Sequence, residues 1–165
     1  MSTAESVLIR PDQGAEHSAM GIRSVAKIKG AQTFGAFSIV EVRLPAGFFV
    51  PPHKHEKTSE VSYVLDGKLG AMVGAEELQA GEGAFVVRPK GVAHALWSAD
   101  GQPVRVLDMY TPAGFEEFGE ELAQRFALAP PTFDQLIEIG LRHDVIFLPE
   151  LAPPLVRKYN LRLPV

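Results

Sequence analysis

Cysteine is absent from the 165 residues of this chain. That absence excludes disulfide bonds, thiolate metal ligands and a cysteine nucleophile. Long apolar runs are missing too: no segment approaches the roughly 20 residues that a membrane-spanning helix requires. The amino terminus lacks the basic region and apolar run that are typical of a signal peptide. We therefore expect a soluble, cytoplasmic protein with no membrane partner.

Neither sign of charge is in large excess. Twenty acidic and sixteen basic residues give a net charge of −4 at pH 7. This balance offers no electrostatic reason to expect a nucleic acid as partner. The length is sufficient for one well-buried core and short for two ordinary domains. We predict a single domain over residues 1–165.

Glycine and proline, by contrast, are abundant, with 15 and 13 residues distributed along the chain. They separate about ten short apolar or alternating segments, a pattern typical of a sandwich or barrel of antiparallel strands. The main predicted strands cover residues 33–44, 60–65, 94–98 and 104–110. Residues 7–10 predict a further edge strand. Residues 13–21 are polar, include His17, and predict a surface loop.

The pattern changes after the last predicted strand. Over residues 115–126, apolar side chains recur at helical spacing among glutamates. Thr132 and Gln135 then match the capping box that begins many helices, and they predict a second helix. We expect two helices in an extension over residues 113–148, packed outside the strands. A proline-rich tail without a clear period, residues 149–165, follows.

Two histidines and a carboxylate stand close together in residues 51–60. His53 and His55 are separated by one residue, so both imidazoles point to the same side of a strand. Glu60 returns to a strand after a polar turn and can face the same point. Taken singly, each of these residues is more often an ordinary surface residue. Together they suit a divalent transition metal such as Fe, Mn, Ni, Cu or Zn.

A second segment completes the set of potential ligands. The pattern G-x5-P-x-G-x2-H ends at His94, directly after a turn. The first segment reads G-x5-H-x-H-x4-E-x6-G from Gly47 to Gly67. Together they resemble the two motifs of the cupin superfamily, and in particular of its small, quercetinase-like members. The resemblance covers residues 35–112 and departs from the motifs only where Ser98 replaces the usual asparagine.

The resemblance implies an all-β fold, a double-stranded β-helix or jelly-roll barrel, with the two helices packed outside it. It also implies that one divalent metal ion is held by His53, His55, Glu60 and His94. The asparagine that Ser98 replaces is not a ligand in the family, so this departure bears little on the metal. The identity of the metal stays open.

The resemblance favours a metal-dependent dioxygenase that acts on a small enolisable or aromatic substrate, with dioxygen as second substrate. Glu60 either remains a ligand or acts as a general base. A non-oxidative isomerase or lyase, and a small-molecule-binding cupin without catalysis, stay open as alternatives. The residues expected to line the substrate pocket are Phe37, Phe49, Val64, Leu96 and Met109. By analogy with other small jelly rolls, we expect a homodimer.

Other candidate residues have less definite roles. Asp108 and Tyr110, on the last predicted strand, either line the mouth of the barrel or are structural. Trp97 is predicted to face the side of its strand opposite to the metal. His17 and His143 lack ligand spacing, and His143 is expected to compensate a helix dipole or lie at the surface.

Overall fold

The computed structural model describes residues 8–162. Within this range two antiparallel sheets are formed by eleven strands: β1 Ala15–Ala19, β2 Ile22–Ile28, β3 Ser38–Leu44, β4 Phe49–Lys54, β5 Ser59–Asp66, β6 Leu69–Val73, β7 Glu76–Ala80, β8 Phe85–Arg88, β9 His94–Ser98, β10 Val104–Thr111 and β11 Ile146–Phe147. One sheet has the order β1-β2-β3-β10-β5-β8, and the other β11-β4-β9-β6-β7. The predicted jelly roll with C-terminal helices is confirmed.

Side-chain alternation along the strands separates the barrel interior from its outer surface. On β10, Val104, Val106, Asp108 and Tyr110 are buried, whereas Met109 between the last two is exposed. Successive residues of a strand point to opposite faces, so the buried set faces inward. The interior core is formed by Leu44, Val64, Leu69, Ala71, Ala80, Val86, Leu96, Val104 and Val106.

Three helices follow β10 within the described residues: α1 Phe115–Leu128, α2 Phe133–Arg142 and α3 Ala152–Tyr159. The predicted capping box begins α2, because the backbone N–H of Gln135 donates to Thr132 Oγ1 at 3.3 Å and Thr132 N–H donates to Gln135 Oε1 at 3.0 Å. None of the helices over residues 8–162 is long and apolar enough to cross a membrane.

The segment expected to be an irregular tail contains α3, so the chain has one helix more than predicted. Prolines occupy the first turn of α3. They are tolerated there because the backbone N–H groups of a first turn have no acceptor within the helix. A proline-rich segment does not predict a helix, so this short helix was not expected from the sequence. The last three residues of the predicted tail lie outside the described residues.

Helix α3 covers the outer face of the five-stranded sheet. Trp97 and Phe49 are fully buried there, with Leu155 of α3 in the same cluster. Gly70 permits the close approach of the indole, since a Cβ atom on it would lie 2.1 Å from Trp97 Nε1. Trp97 therefore faces away from the barrel interior, as its spacing from His94 predicted.

Two local predictions near the amino terminus were not met. Residues 13–21, predicted as a loop, contain strand β1, which pairs with β2 and places His17 opposite Ser24. The segment is polar because one face of this edge strand is exposed. The edge strand predicted for residues 7–10 begins outside the described part of the chain, and its remaining three residues form no strand.

Candidate metal centre

The four predicted ligands converge on one point inside the barrel. His53 on β4 pairs directly with His94 on β9, and Glu60 lies near the start of β5. All four side chains are buried, and one donor atom from each lies within 4.8 Å of the others. Two ligands about 2 Å from a shared ion are separated by at most about 4 Å. The span of the cluster is therefore close to that required by a single metal ion.

Hydrogen bonds fix which nitrogen of each imidazole faces the centre. Nδ1 bonds to a backbone carbonyl at 2.8 Å in His53, 2.7 Å in His55 and 3.0 Å in His94. A carbonyl only accepts, so Nδ1 carries a proton, and in the neutral imidazole Nε2 then keeps its lone pair. Metal-binding histidines are commonly oriented by such bonds.

The inner atoms of the cluster lack hydrogen-bond partners within residues 8–162. The Nε2 atoms of His55 and His94 lie 3.1 and 3.3 Å from the carboxylate of Glu60, yet neither makes a hydrogen bond. A lone pair facing a carboxylate is unfavourable unless a cation lies between them. The arrangement of donors therefore fits a metal ion.

Burial favours the neutral form of the imidazole that the cluster needs. It lowers the pKa of His53 to about 3, and the neighbouring His94 contributes to the shift. His53 is consequently neutral at pH 7, and its Nε2 is free of a proton.

Arg88 is not among the candidate residues that the sequence predicted. It is the last residue of β8 and is buried. One guanidinium nitrogen lies 2.6 Å from Glu60 Oε2, and the other lies 2.8 Å from Asp108 Oδ1 and donates to Ser62 Oγ at 2.6 Å. Alternation along β8 could have predicted its position. Val86 faces the interior, and Arg88, two residues later, lies on the same face of the strand.

Arg88 contacts both Glu60 and Asp108, but the pKa values of these two carboxyl groups shift in opposite directions. Burial raises the pKa of Glu60, but the guanidinium of Arg88 beside it lowers the pKa, and the net pKa lies well below the usual range. At Asp108 burial prevails over Arg88, and the pKa is raised. Glu60 is therefore a firmly ionised carboxylate, whereas Asp108 is the stronger base.

A cavity of about 140 Å³ adjoins the cluster. Its polar side is formed by His53, Glu60, Arg88, Asp108 and Tyr110. Its remaining wall is mostly apolar and comes from β1 to β4, β10 and the inner face of α1, with one residue each from β9 and β11. The helix thus closes one side of the cavity instead of packing on a remote surface. Asp108 and Tyr110 do face the barrel interior.

Of the five residues expected to line a substrate pocket, only Leu96 lines this cavity in the described structure. Phe49 lies on the opposite face of its sheet, and Met109 is 40% exposed on the outer surface. Val64 belongs to the interior core but does not line the cavity, and Phe37 precedes β3. The side of the strand to which each residue points decides its place, and hydropathy alone did not give that side.

A jelly-roll barrel with a buried group of three histidines and one glutamate is the arrangement typical of cupins. The family model described as the Cupin domain matches residues 40–110. Both motifs, from Gly47 to Gly67 and from Gly83 to His94, lie in that range. Residues 40–110 of this chain therefore match the Cupin domain.

Known proteins with sequence or structural similarity share this fold. Quercetin 2,3-dioxygenase of Bacillus subtilis (strain 168) is 27% identical over 94 residues, which are 57% of this chain and 28% of that protein. The chain thus spans less than a third of that relative. KdgF from Halomonas sp. superposes with a TM-score of 0.60 at 18% identity, covering 68% of this chain and 98% of that one. A predicted oxalate decarboxylase from Thermotoga maritima gives 0.57 at 18% identity, with 64% and 99% covered.

Proposed function

We propose that this chain is a metal-dependent dioxygenase that acts on a small enolisable or aromatic molecule. The observation that carries the proposal is the set of inward-facing donor atoms without hydrogen-bond partners, placed at the polar side of an otherwise apolar cavity. The likeness to quercetin 2,3-dioxygenase supports the oxidative reaction over its alternatives.

In this proposal His53, His55, His94 and Glu60 hold the metal. A bound divalent transition metal supplies a Lewis acid that polarises a substrate oxygen, and a redox-active one also permits chemistry with dioxygen. The chain itself orients the three imidazoles through their Nδ1 hydrogen bonds. Arg88 holds the carboxylate of Glu60 in place. The apolar wall excludes water, which strengthens the electrostatic interactions inside.

Proton transfer is better assigned to Asp108 than to Glu60. Glu60 was a candidate general base, but its pKa is low and Arg88 fixes it, so it is a weak proton acceptor. Asp108 lines the cavity, and burial raises its pKa toward the range in which a carboxyl group exchanges protons effectively. Tyr110, whose hydroxyl donates to Asp108 Oδ2 at 3.5 Å, helps to position it.

The same carboxyl group favours a second candidate, a metal-dependent isomerase or lyase. Such an enzyme needs only proton transfer beside a Lewis acid, and Asp108 supplies the acceptor without dioxygen. The two candidates differ in whether oxygen is consumed. The third reading, a small-molecule-binding cupin, requires no turnover at all.

Elemental analysis of the purified protein comes first, because the metal limits the possible reactions. Oxygen consumption is then measured with a flavonol, a catechol and a 1,2-dicarbonyl compound under that metal. Uptake that requires substrate and disappears in Asp108→Asn supports the dioxygenase. Product formation under argon supports the isomerase or lyase. Purified protein that takes up none of the five candidate metals would contradict both.

A further inference from the structure

The cavity has a second polar feature apart from the ligand cluster. His17 lines it, and the Nε2 atom of this residue is buried without a hydrogen-bond partner within residues 8–162. An unpaired buried polar atom costs free energy unless a bound molecule pairs with it. His17 precedes residues 40–110, the range matched by the family model. The family likeness therefore assigns it no role.

Strand pairing directs His17 into the cavity. Along β1, Glu16 and Ser18 are exposed, whereas His17 and Ala19 are half-buried on the opposite face. Ser24 lies opposite His17 on β2 and also lines the cavity. Its hydroxyl is already engaged, because it donates to the backbone carbonyl of His17 at 3.2 Å. The imidazole is thus the polar group of this strand pair that remains for a ligand.

Among residues 8–162, the surroundings of His17 offer its Nε2 atom no competing partner. Helix α1 packs against β1 and contributes mainly apolar residues to the cavity wall. The carboxylate of Glu116, also at the wall, accepts from the backbone N–H groups of Gly30 at 2.7 Å and Gly114 at 2.9 Å. The remaining polar wall belongs to the network around Arg88, and β2 and β3 separate β1 from the strands that carry it.

The size of the cavity limits what can bind between these two polar regions. A cavity of about 150 Å³ accommodates one benzene ring, and the cavity here measures about 140 Å³. Pockets for drug-sized molecules are larger, about 300–1,000 Å³. A single ring or a short chain fills this volume, whereas the three rings of a flavonol would extend beyond it.

We infer that His17 is a specificity-determining residue for a compact substrate with polar groups at both ends. The chelating oxygens of that substrate face the ligand cluster, and a hydroxyl or carbonyl at its other end forms a hydrogen bond with His17 Nε2. This inference rests on the proposed function, since it uses the metal as the first anchor.

Two probes of nearly equal size test the inference: 4-methylcatechol, and benzene-1,2,4-triol, in which a hydroxyl replaces the methyl group. Their affinities are measured by calorimetry under argon on metal-loaded protein, with metal content determined before and after titration. Wild-type protein is expected to bind the triol about five- to tenfold more tightly, the value of one net hydrogen bond. The ratio is expected to fall to about one in His17→Phe.

Matched variants distinguish recognition from a structural role. His17→Gln places a polar atom near the position of Nε2 and is expected to keep the preference, whereas His17→Asn places one near Nδ1 and is expected to lose it. Ser18→Ala, on the exposed face of the same strand, controls for the stability of β1. An unchanged ratio in both His17→Phe and His17→Asn would overturn the role of His17.

The remaining outcomes separate this inference from the proposed function. Metal-loaded wild type that binds quercetin more tightly than either probe, or binds neither probe, overturns the compact substrate while leaving the metal site intact. Wild type without metal overturns the proposed function, and the inference with it.

Discussion

His55 donates a hydrogen bond through Nδ1 to the backbone carbonyl of Asp144 at 2.7 Å, across 89 residues of chain. The side chain of the same aspartate accepts from the backbone N–H groups of Glu56, Lys57 and Thr58 at 3.0, 2.8 and 3.1 Å. A single residue between α2 and β11 therefore fixes both the orientation of a predicted ligand and the loop between β4 and β5. The C-terminal extension is in this way part of the candidate metal centre.

Replacing Asp144 should weaken both the fold and the site. Asp144→Ala removes the acceptor of three backbone N–H groups, so the free energy of unfolding is expected to fall by about 1–3 kcal/mol. The backbone carbonyl that accepts from His55 remains in this variant, but the side-chain bonds that hold residue 144 in place are lost. Metal affinity is therefore expected to fall about 10- to 100-fold as the orientation of His55 loosens. Asp144 has a φ of 60°, which asparagine tolerates well, so Asp144→Asn is the matched control. Urea unfolding and metal titration measure the two effects, and unchanged affinity in the alanine variant would contradict the positioning role.

The contribution of Asp144 to stability should depend on pH. Burial raises the pKa of Asp144, but the three N–H donors outweigh it and lower the pKa below the ordinary value of 3.8. The unfolded chain then binds the proton more readily, so the stabilisation is complete above the unfolded pKa and is lost as pH falls through the folded one. The difference in unfolding free energy between wild type and Asp144→Asn should be constant from about pH 7 to 5 and shrink at lower pH. A difference that widens on acidification would show the opposite sign of shift.

Removing one of the three imidazoles should cause the candidate metal centre to lose its metal. His94→Ala is expected to reduce metal content more than tenfold, because three donors remain in a site shaped for four. His143→Ala is the matched control, since His143 contacts Glu121 at 2.6 Å and is not in the cluster. Elemental analysis of both variants, with circular dichroism to check folding, gives the result. Full occupancy in His94→Ala would remove His94 from the ligand set.

Arg88 should be required because it is the countercharge of two buried carboxylates. Arg88→Met leaves Glu60 and Asp108 without their shared cation, which is expected to cost about 3–5 kcal/mol of unfolding free energy. Adding Asp108→Asn to this variant should recover part of the loss, because one buried negative charge is then removed. Chemical denaturation of the single and double variants tests this coupling. Additive losses would indicate that Arg88 and Asp108 act independently.

We propose that a second copy of the chain covers the outer face of the six-stranded sheet. Apolar side chains cross it on neighbouring strands, and Phe85, Val87 and Met109 are 67, 58 and 40% exposed. Exposed apolar side chains grouped on one face of a sheet are typical of a protein–protein interface. Val87→Lys should therefore convert a dimer into a monomer in sedimentation experiments, whereas Leu128→Lys, at the more exposed end of α1, should not. A monomeric wild type would contradict the proposal.

Local sequence patterns predicted much of the fold and all four candidate metal ligands. The spacing of His53, His55 and Glu60, with His94 after a turn, is short-range information, because alternation on a strand and turn chemistry depend on neighbours in the chain. The same holds for the capping box of α2 and for the orientation of Trp97. The single domain over residues 1–165 stays a prediction.

The sequence by itself determined which side chains were available for a metal and how they are spaced along the chain. Only the tertiary structure decided what surrounds them: the bridge of Arg88 to Asp108, the bond from Asp144 to His55, the cavity wall formed by β1 and α1, and the helical tail over Trp97. These features pair residues far apart in the chain, and their side-chain directions depend on strand register and helix packing. Periodicity within one segment does not contain that information, because the partner of each group is supplied by a different segment only when the barrel closes.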